Sequence, residues 1–211
     1  MLIKCNIEIV VGVRGSGKTH FINRLLQNTL SSKERILVIY SDDGNEKVSD
    51  YLQYNNKNLE IFIGDFRDTD NLISIIRRLS PHRVIIEANP GKDFIDLLNL
   101  LKSSNFEKHC KVTKYYALID GENYDFNSFQ IKEQMLPYAK SIKYLIINNA
   151  DKICQLDLER LWLSFQMKNR AINYILVNTL EDISEKLMLE KCFKKPITQK
   201  SKGFIKNYVT V

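Results

Sequence analysis

The sequence has no long apolar run and no closely spaced pair of cysteines, and these absences exclude several classes of protein. No apolar stretch within the 211 residues approaches the roughly 20 residues that a transmembrane helix requires. The N-terminus has no signal-peptide layout, so we expect a cytoplasmic protein. The four cysteines lie far apart and none forms a C-x-x-C pair, which argues against a disulfide framework and against a zinc ribbon.

Positive charge is concentrated at the C-terminal end. Seven lysines and one glutamate lie beyond residue 185, and they account for the whole net charge of +6. We therefore expect one domain over 1–180, followed by a basic tail over 181–211. Such a tail is either a solubilising segment or a binding surface for an anionic partner, namely nucleic acid, a membrane surface or an acidic protein.

Before this tail, compact apolar runs alternate with segments of helical periodicity, which predict buried strands and helices respectively. The predicted strands span 7–11, 36–40, 59–63, 83–87, 112–119, 144–147 and 171–177. The predicted helices span 19–30, 72–79, 94–101, 126–138 and 156–167, and the polar stretch 41–58 is a predicted loop with room for a short helix. Strands joined by such helices predict an α/β fold, a three-layer α/β/α sandwich around a mostly parallel sheet.

One segment carries a specific phosphate-binding pattern. Gly12–Thr19 reads G-V-R-G-S-G-K-T and matches the P-loop pattern G-x-x-x-x-G-K-[ST] between a predicted strand and a predicted helix. Glycines let successive backbone N–H groups face the phosphates, and the helix N-terminus adds positive charge. We expect Lys18 to reach the β- and γ-phosphates and the Thr19 hydroxyl to bind Mg²⁺. The other predicted phosphate contacts are Gly12, Arg14, Gly15, Ser16 and Gly17. The predicted fold is therefore that of a P-loop NTPase.

A P-loop protein also needs an acidic group near its magnesium ion. Glu87 ends the predicted strand 83–87, which can lie beside the P-loop strand, and we favour this residue. Asp120 also ends a predicted strand and is the competing candidate. Both are plausible from sequence because ligands bind α/β folds at the carboxyl ends of parallel strands.

A second short element indicates which nucleotide base the protein binds. Asn148, Asn149 and Asp151 follow a predicted strand and resemble the N-K-x-D element of GTPases, with Asn149 in place of the lysine. Guanine offers two hydrogen-bond donors that one carboxylate can accept, whereas adenine has no such pair. The element therefore favours GTP over ATP, although the missing lysine stem lowers the expected affinity.

Together these segments resemble the CobW family of metallochaperone GTPases, in the SIMIBI class of P-loop proteins, over roughly residues 5–180. Besides the P-loop, the resemblance rests on V-I-I-E at 84–87, A-L-I-D-G at 117–121 and I-N-N-A-D at 147–151, in matching order. It implies Mg²⁺-dependent hydrolysis of GTP to GDP and phosphate, in which Lys18, Glu87 and Asp50 act and Thr19, Glu87 and Asp50 surround the metal. Asp50 is implied because it aligns best with the switch aspartate of the family.

The sequence departs from this family at three places. When Arg67 and Asp68 are aligned, the cysteines of the C-x-C-C metal motif are replaced by Ile61, Ile63 and Gly64, so the thiolate site is missing. The E-[ST]-x-G element is present only as E-A-N-P at 87–90, with its glycine one position late at 91. The C-terminal domain of the family has no counterpart in this sequence.

Three functions stay open at this point. The first is a slow CobW-like GTPase, and the second is a nucleotide-binding regulatory module with little turnover, which the lost cysteines and the shifted glycine favour. The third is an ATPase that acts on nucleic acid through the basic tail. A small-metabolite kinase is less favoured because no arginine-rich lid is visible. Many SIMIBI-class proteins dimerise across the nucleotide, so a homodimer is a further expectation, and the client protein is not identified.

Overall fold

The computed structural model describes residues 4–30, 33–40, 47–64, 69–125 and 130–178. The basic tail, residues 41–46 of the predicted loop and the alignment positions Arg67 and Asp68 lie outside these ranges. The strands are β1 (Cys5–Gly12), β2 (Ile36–Tyr40), β3 (Leu59–Ile63), β4 (Arg83–Ala88), β5 (Cys110–Asp120), β6 (Tyr144–Asn148) and β7 (Asn173–Leu176). The α-helices are α1 (Lys18–Thr29), α2 (Asp50–Asn55), α3 (Thr69–Leu79), α4 (Lys92–Leu101), α5 (Ser104–His109) and α6 (Gln155–Lys168).

The seven strands form one sheet in the order β3-β2-β4-β1-β5-β6-β7, and every neighbouring pair is parallel. β1 lies in the middle, between β4 and β5. Because the strands are parallel, their carboxyl ends lie at one edge of the sheet. The predicted site residues at or just after the ends of β1, β4, β5 and β6 are therefore at this same edge. The α/β prediction is confirmed, and the described part of the sheet is parallel throughout.

Helices cover both faces of the sheet and create the three layers. Successive side chains of a strand point to opposite faces, so β1 contributes to two cores. On one face, Val10 packs in a buried cluster with Phe21 and Leu26 of α1. On the other, Ile9 belongs to a cluster that includes Phe94 of α4. This double coverage explains why the strands are nearly continuous apolar runs.

One charged network is buried within this sheet. The Glu8 carboxylate is 5% exposed and lies 3.1 Å from the Arg83 guanidinium, which is 6% exposed. Arg83 also donates a 2.7 Å hydrogen bond to Thr29 Oγ1, and Lys114 Nζ lies 3.5 Å from Glu8. Each buried charge thus has a partner of opposite sign, which a buried ion requires.

Two helical segments differ from the sequence prediction. Where a helix over 126–138 is predicted, the structure has a π-helix (Gln130–Met135) followed by a 3-10 turn (Leu136–Tyr138), while 126–129 lie outside the described residues. Pro137 has no N–H to donate, which interrupts α-helical hydrogen bonding there. The six-residue α5 was not predicted because so short a helix shows no periodicity. Along the described parts of the chain, no helix has the length and apolar character needed to cross a membrane.

Candidate functional site

The segment between β1 and α1 is a tightly wound loop at the carboxyl edge of the sheet. Gly15 and Gly17 have φ values of 83° and 86°, in the left-handed region that favours glycine. Within the loop, the Ser16 N–H donates to the Val13 carbonyl at 3.2 Å. α1 begins at Lys18, directly after Gly17, so the positive end of the helix faces this loop. The loop is therefore shaped to receive an anion.

Close packing beneath the loop accounts for its first glycine. A Cβ atom on Gly12 would lie 2.4 Å from Ser16 Oγ and 2.7 Å from the Leu118 carbonyl oxygen. Ser16 is fully buried, and its hydroxyl has no hydrogen-bond partner among the described residues. Its side chain thus lies under the loop, so any contact of Ser16 with phosphate would involve its backbone. Arg14 is exposed.

Three side chains meet at the start of α1, and we call them the Lys18 cluster: Lys18, Thr19 and Glu87. Thr19 Oγ1 donates a 2.9 Å hydrogen bond to Glu87 Oε2, although the residues are 68 positions apart. Lys18 Nζ lies 3.9 Å from Glu87 Oε1 and donates to the Val13 carbonyl at 3.2 Å. Hydroxyl and carboxylate oxygens are hard ligands of the kind that Mg²⁺ prefers, so this donor set fits a magnesium ion beside a phosphate.

The competing carboxylate, Asp120, lies on the other side of β1 and is only 8% exposed. It accepts hydrogen bonds from Asn149 Nδ2 at 2.7 Å, Asn123 Nδ2 at 2.6 Å and the Glu122 N–H at 3.2 Å. Its oxygens are therefore occupied by neighbouring loops. The structure brings Glu87, and not Asp120, to the Thr19 hydroxyl.

Asp50, the third predicted metal ligand, is the exposed first residue of α2. The backbone before it is attached to α1, because Asn23 Nδ2 donates to the Lys47 carbonyl at 3.1 Å and the Ser49 N–H donates to Asn23 Oδ1 at 2.9 Å. Within the described ranges, no hydrogen bond or ion pair joins Asp50 to the Lys18 cluster. The metal-binding role of Asp50 therefore stays a prediction.

The loop after β6 carries the predicted base-binding residues. Asn149 has a φ of 50°, and the Gly121 N–H donates to the Asn148 carbonyl at 2.7 Å. The Asn148 Oδ1 atom is buried, and no described residue hydrogen-bonds to it. The Asp151 side chain is 46% exposed and lies 3.5 Å from Lys152 Nζ. The predicted residues therefore lie at the last position of β6 and in the loop that follows it, at the same sheet edge as the P-loop.

A cavity of about 290 Å³ lies beside the P-loop, and sequence patterns did not predict it. Its lining comes from the P-loop, the end of β5, the loop that follows and the π-helix: Val13, Arg14, Gly15, Ile119, Asp120, Asn123, Tyr124, Asp125 and Ile131. Burial, reinforced by the nearby charge of Asp157, raises the pKa of Tyr124, so its phenol stays neutral. Apart from the P-loop, the sequence signal for this region is the segment A-L-I-D-G at 117–121, and it does not reveal the hydrogen bonds of Asp120.

The positions of the missing metal motif lie on an edge of the sheet. Ile61 and Ile63 belong to β3, the outermost strand, and Gly64 follows it. Across the described ranges, no group of three or more His, Cys, Asp or Glu residues is arranged to hold a metal ion. A metal bound by several protein side chains, as the family motif implies, has no counterpart in this part of the chain.

A parallel sheet, a wound glycine loop and a Lys-Thr pair at the start of the following helix together define a P-loop NTPase. The model of the CobW/HypB/UreG nucleotide-binding domain matches residues 6–175. The chain therefore belongs to the CobW/HypB/UreG family, and this region is its nucleotide-binding domain. No curated protein matches the chain significantly.

Solved structures share the fold at low sequence identity. HypB from Archaeoglobus fulgidus is 12% identical with a TM-score of 0.55, over 89% of this chain and 90% of that one. HypB from Helicobacter pylori in complex with nickel is 14% identical with a TM-score of 0.55, over 93% and 92%. The zinc-bound YjiA GTPase of E. coli is 16% identical with a TM-score of 0.52, over 75% and 54%, so the chain spans about half the length of YjiA. At these identities the likeness concerns the fold alone.

Proposed function

We propose that this protein is a slow, magnesium-dependent GTPase that converts GTP and water to GDP and phosphate. The observation that carries the proposal is the Lys18 cluster, in which a hydroxyl, a carboxylate and an ammonium group meet at the mouth of the P-loop. Phosphoryl transfer needs mainly such positioned charge, with little covalent chemistry from the protein. Membership in a family of nucleotide-binding domains supports the same conclusion.

Each member of the Lys18 cluster has a defined task in this proposal. When bound, Mg²⁺ neutralises charge on the β- and γ-phosphates, and Thr19 with Glu87 would hold it. Lys18 is 6% exposed and is already oriented by the Val13 carbonyl and Glu87. Its positive charge is therefore in place before the reaction and needs little reorganisation as negative charge develops.

Guanine selection in this proposal comes from the loop after β6. Asp151 is exposed at the sheet edge, so its carboxylate is accessible to the two donors of guanine. Asn149 occupies the position of the usual lysine and points its amide at Asp120 instead. Asp151 then binds the edge of the guanine base, while no lysine stem covers its face. This arrangement favours GTP but gives it only moderate affinity.

A second candidate, a regulatory module with little turnover, is favoured by the backbone around Gly91. This glycine precedes α4 with a φ of 107°, and a Cβ there would lie 3.0 Å from Gln134 Nε2. Gly91 thus lies beside Gln134 of the π-helix, at the start of α4. Its place one position later than in the family element supports weak coupling between the γ-phosphate and a switch.

Isothermal titration with a non-hydrolysable GTP analogue and its ATP counterpart, both with Mg²⁺, tests the binding proposal. We expect tighter binding of the guanine form, and a large loss in Lys18→Ala, which removes the central cation. Equal binding of both forms would contradict guanine selection. Single-turnover release of phosphate from GTP then separates the two candidates, since tight binding without release over hours identifies the regulatory module.

Several expectations stay predictions. The basic tail lies outside the described residues, and its proposed role as a nucleic-acid grip predicts DNA or RNA affinity that falls steeply with salt and is lost on truncation after about residue 190. The division into 1–180 and 181–211, a homodimer and a cytoplasmic location are likewise proposals. Gel filtration with and without nucleotide tests the dimer.

A further inference from the structure

The loop that carries the proposed base-binding residues is attached to the end of β5 through one carboxylate. Asn149 Nδ2 donates to Asp120 Oδ1 at 2.7 Å, across 29 positions of sequence. Asn149 adopts a φ of 50°, a left-handed conformation that asparagine tolerates better than most residues. Its side chain is thus directed to Asp120, whereas a lysine at this position would extend over the base.

Asp120 is suited to hold this loop rigidly. It is 8% exposed, and its two oxygens accept three hydrogen bonds, including 2.6 Å from Asn123 Nδ2 and 3.2 Å from the Glu122 N–H. Hydrogen bonds to an ionised acceptor are roughly twice as strong as bonds between neutral groups. The carboxylate therefore joins its own loop to Asn149 with more strength than an amide or hydroxyl would provide.

The backbones of the two loops are also in direct contact. Asp120 and Asn148 are register partners on β5 and β6, and the Gly121 N–H donates to the Asn148 carbonyl at 2.7 Å. A Cβ on Gly121 would lie 2.5 Å from the Asn149 carbonyl oxygen. The side-chain bond and the backbone bond together restrain the conformation of Asn148 and Asn149, directly before Asp151.

We infer that Asp120 is a positioning residue that sets guanine affinity through Asn149, without touching the nucleotide or the metal. The inference rests on the proposed guanine site and deepens it. It assigns to the Asp120–Asn149 hydrogen bond the ordering of the loop that carries Asn149 and Asp151. Loss of the bond lets the loop sample conformations in which Asp151 no longer meets the base, so binding of the base weakens and binding of the phosphates does not.

The test compares two probes with Mg²⁺ by isothermal titration: GDP, and inorganic tripolyphosphate as a probe without a base. Asp120→Ala removes the acceptor, and Asn149→Gly removes the donor while keeping the positive φ. We expect each variant to weaken GDP binding about tenfold, the size of one charge-assisted hydrogen bond. Because both changes remove the same bond, the double variant should bind GDP no more weakly than the single ones. Tripolyphosphate binding should stay within about twofold of the parent protein.

Glu122→Gln is the matched control, since it removes an exposed carboxylate from the same loop and keeps the N–H that Asp120 accepts. We expect this variant to bind both probes as the parent does. Thermal unfolding verifies each fold, and if Asp120→Ala does not fold, Asn149→Gly carries the test, because it removes the same bond and leaves Asp120 in place.

Three outcomes overturn the inference, and each locates the error. Equal weakening of GDP and tripolyphosphate in Asp120→Ala would show a general structural role. Unchanged GDP binding in that variant, together with a loss in Asp151→Asn, would refute the role of Asp120 and leave the guanine site intact. Unchanged GDP binding in both Asp120→Ala and Asp151→Asn would overturn the proposed guanine site as well.

Discussion

Thr19 Oγ1 donates a 2.9 Å hydrogen bond to Glu87 Oε2 and so joins the first turn of α1 to the end of β4. The contact arises because β4 lies beside β1, with Glu87 in register with Val10 two residues before the loop begins. The Thr19 hydroxyl and the Glu87 carboxylate are therefore adjacent at the mouth of the P-loop. Such preorganisation is what an electrostatic site for a charged phosphate chain requires.

Glu87→Gln should lower magnesium affinity more than it lowers stability. The new amide oxygen can still accept from Thr19, but the negative charge that attracts the cation is lost. We expect the Mg²⁺ concentration needed for half-maximal binding of a GTP analogue to rise about tenfold, as for one lost charge-assisted contact. The matched control is Glu60→Gln on β3, an exposed carboxylate far from the P-loop in the strand order. An unchanged Mg²⁺ requirement in Glu87→Gln would contradict the ligand role.

Asp151→Asn should change the base preference. The substituted amide cannot accept from both donors of guanine, and its N–H₂ can donate to the C2 carbonyl of xanthine. We expect GDP affinity to fall on the order of a hundredfold and xanthosine diphosphate affinity to rise, measured by isothermal titration of both nucleotides. A parallel loss for ADP would count against guanine recognition, because adenine lacks the donor pair.

Gly12→Ala should destabilise the protein more than Gly15→Ala. A Cβ on Gly12 collides with Ser16 Oγ and with backbone at Leu118, and overpacking of this kind costs about 3 kcal/mol. Gly15 has no atom within 4 Å of its Cβ position, but its φ of 83° costs an alanine about 1 kcal/mol. Urea denaturation of the two variants gives the comparison, and the reverse order would refute the packing argument.

Glu8→Gln should destabilise the sheet strongly. Arg83 is 6% exposed and would keep its charge in the core without its carboxylate partner, which costs about 3–5 kcal/mol. Lys114→Ala is the control, because Lys114 is 38% exposed and its pair with Glu8 contributes about 1 kcal/mol or less. Denaturant titrations of both variants give the free energies of unfolding that test this difference. Similar costs for both variants would contradict the assignment of Arg83 as the main partner of Glu8.

The amino-acid sequence by itself determined the fold class, the family and the location of the P-loop. These conclusions depend on neighbours a few residues apart: apolar runs that must be buried, glycines that permit left-handed backbone, and a Lys-Thr pair at a helix start. The bounds of β2, β3 and α1 agree with the prediction to within a residue. Short or irregular elements, such as α5 and the π-helix, carry too little periodicity to be found in this way.

The sequence favoured Glu87 over Asp120, but only the tertiary structure shows which of the two carboxylates meets Thr19. In the sequence both residues end a predicted strand, and no local pattern shows on which side of β1 each strand lies. The order β4-β1-β5 places them on opposite sides of the P-loop strand, so that one meets Thr19 and the other meets Asn149. These pairs are 68 and 29 positions apart, and which residues meet over such separations depends on how the strands assemble and not on any local pattern.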